Sequence, residues 1–472
     1  MPNLSLLSNE VNKKLELFKC ITRDLIFYGL GTPYSVLRLQ RRSIRLEEVK
    51  KSWRSVATSI LKEKGSHDRF GIYVHIPFCV SKCFYCNTLS FPQTNDQSHS
   101  RFLNALEKEI KLLDFPKKLE AKTVYIGGGT PSILSSANLK RLMVMISENY
   151  NVENKEQFMV ELSPYTCSYE KVKILKDYGV NKVTIGVQSL DKNVLKKLQR
   201  PQNAKLVFQL YQNCRKLKIR HINVDLMAGV PYQSIESFQI SLKNILKLKP
   251  DTIHVNSFCP DVFTRFTKNG LTLNFSDVIR CKKMLDLAYQ MISSAYPYAL
   301  EDYSTNKENL QFFDMYKFNS SVLGLGWGAI SHAFKKMYYV KDLHYPDYER
   351  NLKRNIFPKL FAFQLSKDLE MRFNIINSIQ EEGRIDKNLF QKIFNEEPEK
   401  LYPRELKLIK KMCPVGEDRN FITLSAKTRC ERYIYSNCFL DGRFLARYSG
   451  LVDKNKNEYR NIDFQLSYLL YG

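Results

Sequence analysis

From Phe70 onward, short apolar runs alternate with amphipathic stretches, the runs falling near 70–76, 122–126, 157–162, 181–187, 219–226 and 251–256. Runs of this kind read as strands, the stretches between them as helices, and repeated strand–helix units imply a parallel sheet. Six units in about 190 residues suit a curled partial barrel better than a closed eightfold one, which takes about 250 residues. The expected class is therefore α/β, a partial parallel (β/α)6 TIM-like barrel. In such folds chemistry gathers at the C-terminal ends of the strands, so the residues just past each strand are the candidates for function.

The first strand runs into Tyr73–Thr88, which reads Y-V-H-I-P-F-C-V-S-K-C-F-Y-C-N-T. Cys79, Cys83 and Cys86 stand there in C-x3-C-x2-C spacing. Soft thiolates this close together on a loop can converge on an inorganic centre, and iron–sulfur clusters are held by such cysteines, normally four. Three thiolates leave one iron open to another ligand, whereas a structural zinc site closes with four. Spacing alone leaves two alternatives: buried cysteines with no centre, or a zinc site completed by His75 or a distant cysteine.

The later strand ends carry polar groups. The second is followed by G-G-G-T-P, Gly127 to Pro131, and consecutive glycines permit close backbone approach and expose N–H groups to an anion. Glu161 ends the third strand, Gln188 the fourth and Asp225 the fifth, with Arg200 in L-Q-R-P-Q between the last two. Singly, each reads equally as a helix cap or surface pair. Together they offer carboxylates for hydroxyl groups, an amide that donates and accepts, and a guanidinium fork for a carboxylate.

At 472 residues the chain exceeds what one core usually fills, so more than one unit is expected. A basic, helical N-terminal extension over 1–69, with Leu15, Phe18, Ile21, Leu25 and Ile26 on one apolar face, precedes the barrel at 70–340. A mainly helical cap follows at 341–472, marked by R-I-D-K-N-L-F-Q-K-I-F-N, E-L-K-L-I-K-K-M and a short F-I-T-L strand. The net charge of +25 is scattered without long blocks, which reads as a basic surface that would draw an anionic substrate, with no nucleic acid implied. Eleven cysteines, an odd number with three in one triplet, suit a reducing compartment. No apolar run reaches about 18 residues, and a cytoplasmic protein with no membrane contact is expected.

The run Y-x-H-I-P-F-C-x3-C-x-Y-C resembles the signature of radical S-adenosylmethionine enzymes, and among them the oxygen-independent coproporphyrinogen III oxidase family. The resemblance covers about residues 70–445, most strongly in the first half. It implies a [4Fe-4S] cluster on Cys79, Cys83 and Cys86, whose open iron chelates the amino and carboxylate groups of S-adenosylmethionine for reductive cleavage to a 5′-deoxyadenosyl radical. It implies cofactor contacts by Tyr73, by Gly128, Gly129 and Thr130 at the amino end, and by Glu161, Gln188, Arg200 and Asp225. Cys259 would be a wall residue and Ile330, in L-G-L-G-W-G-A-I-S-H, would pack on adenine. Tyr85, between the last two cysteines, would line a second S-adenosylmethionine, whose presence stays open. The implied partners are a porphyrinogen and an electron donor of unknown identity, the chain acting as a monomer.

Two departures bear on the reaction. The oxidases carry a fourth cysteine in C-G-C, where this chain has Cys86-Asn87-Thr88. The related heme chaperones carry His-Asn-Leu-x-Tyr-Trp, where the nearest counterpart is Glu308-Asn309-Leu310-Gln311-Phe312-Phe313. Three readings follow: oxidative decarboxylation of a porphyrinogen propionate to a vinyl group, a heme carrier with His332 or His344 as axial ligand, and a radical methyltransferase.

Overall fold

The computed structural model describes residues 42–62, 69–116, 119–258, 264–271, 275–296, 320–364 and 366–426, with a few short stretches besides. The apolar face over 15–26, the turn at 27–35, Cys259 and the 308–313 segment lie outside the described residues. The described residues fall into two compact units, one within Gln40–Asn269 and Lys283–Gln364, the other within Gly270–Lys282 and the residues from Leu365 onward.

The larger unit is built on one sheet. Its strands are β1 (Arg42–Ile44), β2 (Arg69–Ile76), β5 (Thr123–Gly128), β6 (Gln157–Leu162), β7 (Lys182–Gln188), β8 (His221–Ala228), β9 (Thr252–Ser257), β10 (Tyr298–Ala299), β11 (Asp302–Ser304), β12 (Ser320–Leu325), β13 (Ile330–Ala333), β14 (Met337–Lys341) and β15 (Leu360–Gln364). A separate two-stranded ladder pairs β3 (Phe78–Cys79) with β4 (Phe91–Pro92). The sheet order is β1-β15-β14-β13-β12-β2-β5-β6-β7-β8-β9-β11-β10. The six strands read from the sequence are its parallel centre, and β12 joins them parallel to β2. Antiparallel strands extend both sides, and β15 carries the sheet past residue 341, into the stretch read from the sequence as a helical cap.

The central strands are buried on both faces, with Val74, Val124, Ile126, Val160, Ile185, Val224 and Ile253 almost fully enclosed. These residues share one face, and the alternate positions, among them Tyr73, Tyr125, Glu161 and Asp225, turn to the other. Each return helix starts on a polar cap: Asn95, Ser135, Ser168, Asp191, Asn203 and Ser234 accept hydrogen bonds from N–H groups two or three residues on. Such caps satisfy donors that the first helical turn leaves open. They fix where each loop ends, so the strand-end residues face one rim.

The smaller unit places helix Lys367–Glu382, capped by Ser366, with three further helices and a three-stranded sheet of β16 (Arg384–Asp386), β17 (Val415–Glu417) and β18 (Phe421–Leu424). The F-I-T-L strand is where the pattern put it. R-I-D-K-N-L-F-Q is not one helix: Arg384–Asp386 is a strand, and Asp386 caps the helix that follows by accepting from the Leu389 N–H. An acidic residue three places before an apolar helical face was the available signal. Among the described residues no helix is long and apolar enough to cross a membrane.

Candidate active site

The cysteine loop leaves β2 and returns through β4, closed by the Phe91 N–H to Pro77 O at 3.0 Å and the Gln93 N–H to Cys79 O at 2.9 Å. Aromatic packing clamps its base, with Phe78, Phe91, Trp327 and Tyr345 in mutual edge contact. Its tip is held by neighbouring loops: the Phe84 N–H donates to Leu198 O, and the Phe266 N–H to Phe84 O, both at 3.2 Å. Cys79 is buried and Cys83 and Cys86 half-buried.

Each thiol receives a donor from a different place. The Thr130 hydroxyl is 3.6 Å from Cys79 Sγ, Arg200 Nη1 is 3.5 Å from Cys83 Sγ, and Lys82 Nζ is 3.7 Å from Cys86 Sγ. Burial pushes the Cys79 thiol upward, and the Thr130 contact opposes it.

His75 does not complete a zinc site. Its Nε2 donates to Leu89 O at 2.7 Å, which leaves Nδ1 to accept from the Tyr73 hydroxyl at 2.9 Å. Burial lowers its pKa to about 4, so the ring is neutral and both nitrogens are engaged. Among the described residues no three His, Cys, Asp or Glu side chains converge to hold a single metal ion. Three thiols around one loop fit a polynuclear group instead.

The glycine run lies against this loop. A Cβ on Gly129 would stand 2.6 Å from Phe78 O and 2.9 Å from Cys79 Sγ, so only glycine lets β5 approach the first thiol. The Gly129 N–H donates to Ile76 O at 2.7 Å, and the Gly128 N–H turns to the Glu161 carboxylate. These N–H groups are therefore engaged, contrary to the exposed anion cradle expected from the glycines alone. Gly324, paired with Tyr73, gives the same kind of approach on the other side, where a Cβ would meet Ile330 O at 2.3 Å. Ile330 is half-buried on β13, beside Val340.

Tyr73 and Tyr125, register partners on β2 and β5, meet edge to face at 5.3 Å. The Tyr125 hydroxyl donates to Glu161 Oε1. Burial raises the Glu161 carboxyl to about 7, with the nearby Asp225 charge adding to the rise. Asp225 Oδ1 accepts from Asn223 Nδ2 at 2.6 Å and lies 3.7 Å from His254 Nδ1, its register partner on β9. Gln188 ends β7 at a bulge with φ of 63°, and among the described residues its buried Oε1 has no hydrogen-bond partner.

Arg200, expected as a fork for a ligand carboxylate, turns its N–H groups to the protein in this structure. Its N–H groups donate to Tyr85 Oη at 2.9 Å, Gly186 O at 2.6 Å, Gln202 Oε1 at 3.0 and 3.3 Å, and Cys83 Sγ. All five guanidinium donors are thus engaged within the protein. These contacts tie Tyr85 and Cys83 to the end of β7. Of the expected residues, the structure brings together the cysteines, Tyr85, Gly129, Thr130 and Arg200 around the loop, and Tyr73, Glu161, Gln188 and Asp225 along the strand ends. Tyr125, Asn223, His254 and Lys82 were not singled out by the sequence. For Tyr125 the strand alternation that places Tyr73 inward was the available signal. His332 stacks on Tyr338 at 3.9 Å, and His344 lies 3.2 Å from Asp347, so both histidines are accounted for by local contacts.

Residues 73–245 match the family described as the Radical SAM superfamily. The heme chaperone HemW of Bacillus subtilis is 36% identical over 196 residues, 41% of this chain and 52% of that protein. The oxygen-independent coproporphyrinogen III oxidase of Helicobacter pylori is 27% identical over 361 residues, 72% of this chain and 78% of that one. The chain spans about half the length of the heme chaperones it matches. The solved coproporphyrinogen III oxidase HemN of Escherichia coli superposes with a TM-score of 0.70 over 82% of this chain and 92% of that one, at 22% identity, a likeness of fold.

Proposed function

Since residues 73–245 match the Radical SAM superfamily, we propose that the chain is an enzyme in which Cys79, Cys83 and Cys86 hold a [4Fe-4S] cluster beside a bound S-adenosylmethionine. When bound, the pair supplies one-electron reductive cleavage to methionine and a 5′-deoxyadenosyl radical. The observation that carries this reading is the cysteine loop, in which three thiols each take a hydrogen bond from a separate residue while Gly129 presses β5 against the first.

The chain's own residues orient the cofactor. Glu161 and Asp225 suit ribose hydroxyls, and the buried Gln188 Oε1 is an acceptor awaiting a donor. With the Gly128 and Gly129 N–H groups engaged, this run meets an amino group through carbonyl oxygens or the Thr130 hydroxyl. Tyr73 and Ile330 would enclose the adenosyl part, and Tyr85 would present its ring to a second S-adenosylmethionine. Enclosure keeps water from a reactive radical.

The substrate we propose is a porphyrinogen, whose propionate side chain gives up a hydrogen atom to the radical, then carbon dioxide and an electron to an acceptor, leaving a vinyl group. Alignment with a coproporphyrinogen oxidase along 72% of the chain supports this reading. Heme carriage is the second reading, supported by the relatives named heme chaperones at 32% and 36% identity. Anaerobic turnover of reconstituted protein with S-adenosylmethionine, dithionite and coproporphyrinogen, followed by mass spectrometry, decides between them. Substrate-dependent 5′-deoxyadenosine with loss of carbon dioxide is expected. Stoichiometric heme binding with no deoxyadenosine under strong reduction would favour carriage, and S-adenosylhomocysteine formed with substrate would mark a methyltransferase.

A further inference from the structure

We propose that Lys82 is a positioning residue that sets the reduction potential of the cluster through Cys86, an inference that rests on the cluster reading above. Lys82 directly precedes Cys83 and is half-buried within the loop. Its ammonium reaches across to the returning limb, donating to Cys86 Sγ at 3.7 Å, to Ser90 Oγ at 2.9 Å and to Thr88 O. An ammonium has three N–H groups, and each has a partner here. Ser90 Oγ in turn donates to Thr88 O at 3.3 Å, and Arg265 Nη1 to Lys82 O at 3.3 Å, so both the head and the backbone of Lys82 are pinned.

Such a contact does more than brace a loop. Reduction adds an electron to the cluster, and a cation hydrogen-bonded to one of its sulfur ligands stabilises the reduced state over the oxidised one. Net charge and hydrogen bonds to the sulfurs are two of the levers that set cluster potentials. Arg200 makes the matching contact to Cys83 but also holds Tyr85, Gly186 and Gln202, so removing it would disturb the surrounding structure. The side-chain contacts of Lys82 all lie within the loop, which makes its charge separable from the packing.

The test is a redox titration of anaerobically reconstituted protein, monitored by the electron paramagnetic resonance of the reduced cluster, on wild type, K82M and K82R. K82M should keep its iron and its urea midpoint while the equilibrium constant for one-electron reduction falls at least tenfold, about 59 mV for one electron. K82R, which keeps the charge, should recover most of that shift. A K82M cluster titrating with wild type would overturn the proposal and leave Lys82 a brace. Should K82M fail to load iron, K82Q is titrated in its place, and failure of both to load would also overturn the tuning role. If wild type itself takes up no reducible cluster, the cluster reading fails rather than this inference.

Discussion

Glu161 shows how burial makes a carboxyl useful. Desolvation holds its pKa at about 7, against 4.5 for an ordinary glutamate. Between these values the folded chain keeps a proton that the unfolded chain has released, so the contribution of this group to stability falls as pH rises through that window. E161Q has no such proton to lose, and urea unfolding at a series of pH values should show its stability gaining on wild type from about 4.5 to about 7. The same site makes a binding prediction. D225A and E161A should each weaken S-adenosylmethionine binding by about 1.5–3 kcal/mol, the worth of a hydrogen bond to a charged group. Equilibrium dialysis against cluster-loaded protein measures this, and unchanged affinity in both would remove the carboxylates from the cofactor site. The carboxylates were legible because they end strands. The Tyr125 hydrogen bond to Glu161 was not, since 36 residues separate the pair and only the sheet register joins them.

At the level of elements, the glycine turns let separate segments share the space around the thiols. A Cβ on Gly326, with φ of 85°, would stand 2.6 Å from His75 O, and one on Gly328 would meet Leu89 Cδ2 at 2.4 Å. The turn is supported from behind by Glu109, on helix Asp96–Leu113, and Lys341, on β14, paired at 2.9 Å with side chains 1% and 2% exposed. Glu109 also accepts from the Gly326 N–H and the Tyr348 hydroxyl, and Lys341 donates to Gly324 O. Removing one partner strands a buried charge, so E109A should cost about 3–5 kcal/mol, read as a lowered urea midpoint. G129A acts differently. Its Cβ would press on Phe78 O and Cys79 Sγ, so iron uptake should drop while the far-ultraviolet circular dichroism stays as in wild type.

Across the whole molecule, the charge of +25 sets a long-range field rather than a site. If the substrate is a polycarboxylate, kcat/KM should fall as ionic strength rises toward about 1 M, where screening acts within about 3 Å. Iron content and circular dichroism should stay constant over the same range. A flat salt profile would show that the basic surface does not guide the substrate. Replacing Cys79, Cys83 and Cys86 together by Ala should abolish iron uptake and the cluster's absorbance, and full iron content in that variant would sink the ligand assignment.

The sequence by itself determined the parallel centre of the fold and the place of its chemistry. Short apolar runs, helices started by side-chain caps and three cysteines just past a strand are local facts, legible because each is set within a few residues. Only the tertiary structure decided what the side chains do there. Arg200 reads as a ligand fork, yet its five donors close on Tyr85, Cys83, Gly186 and Gln202, brought to it by the bulged end of β7. His75 reads as a metal ligand, yet Tyr73 and Leu89 engage both its nitrogens. β12 escaped the pattern because it pairs parallel to β2 across some 250 residues, and the antiparallel strands β13 to β15 are laid down only against it. A hydrogen bond depends on which groups meet, and that is fixed by sheet register and loop closure rather than by neighbours in the chain.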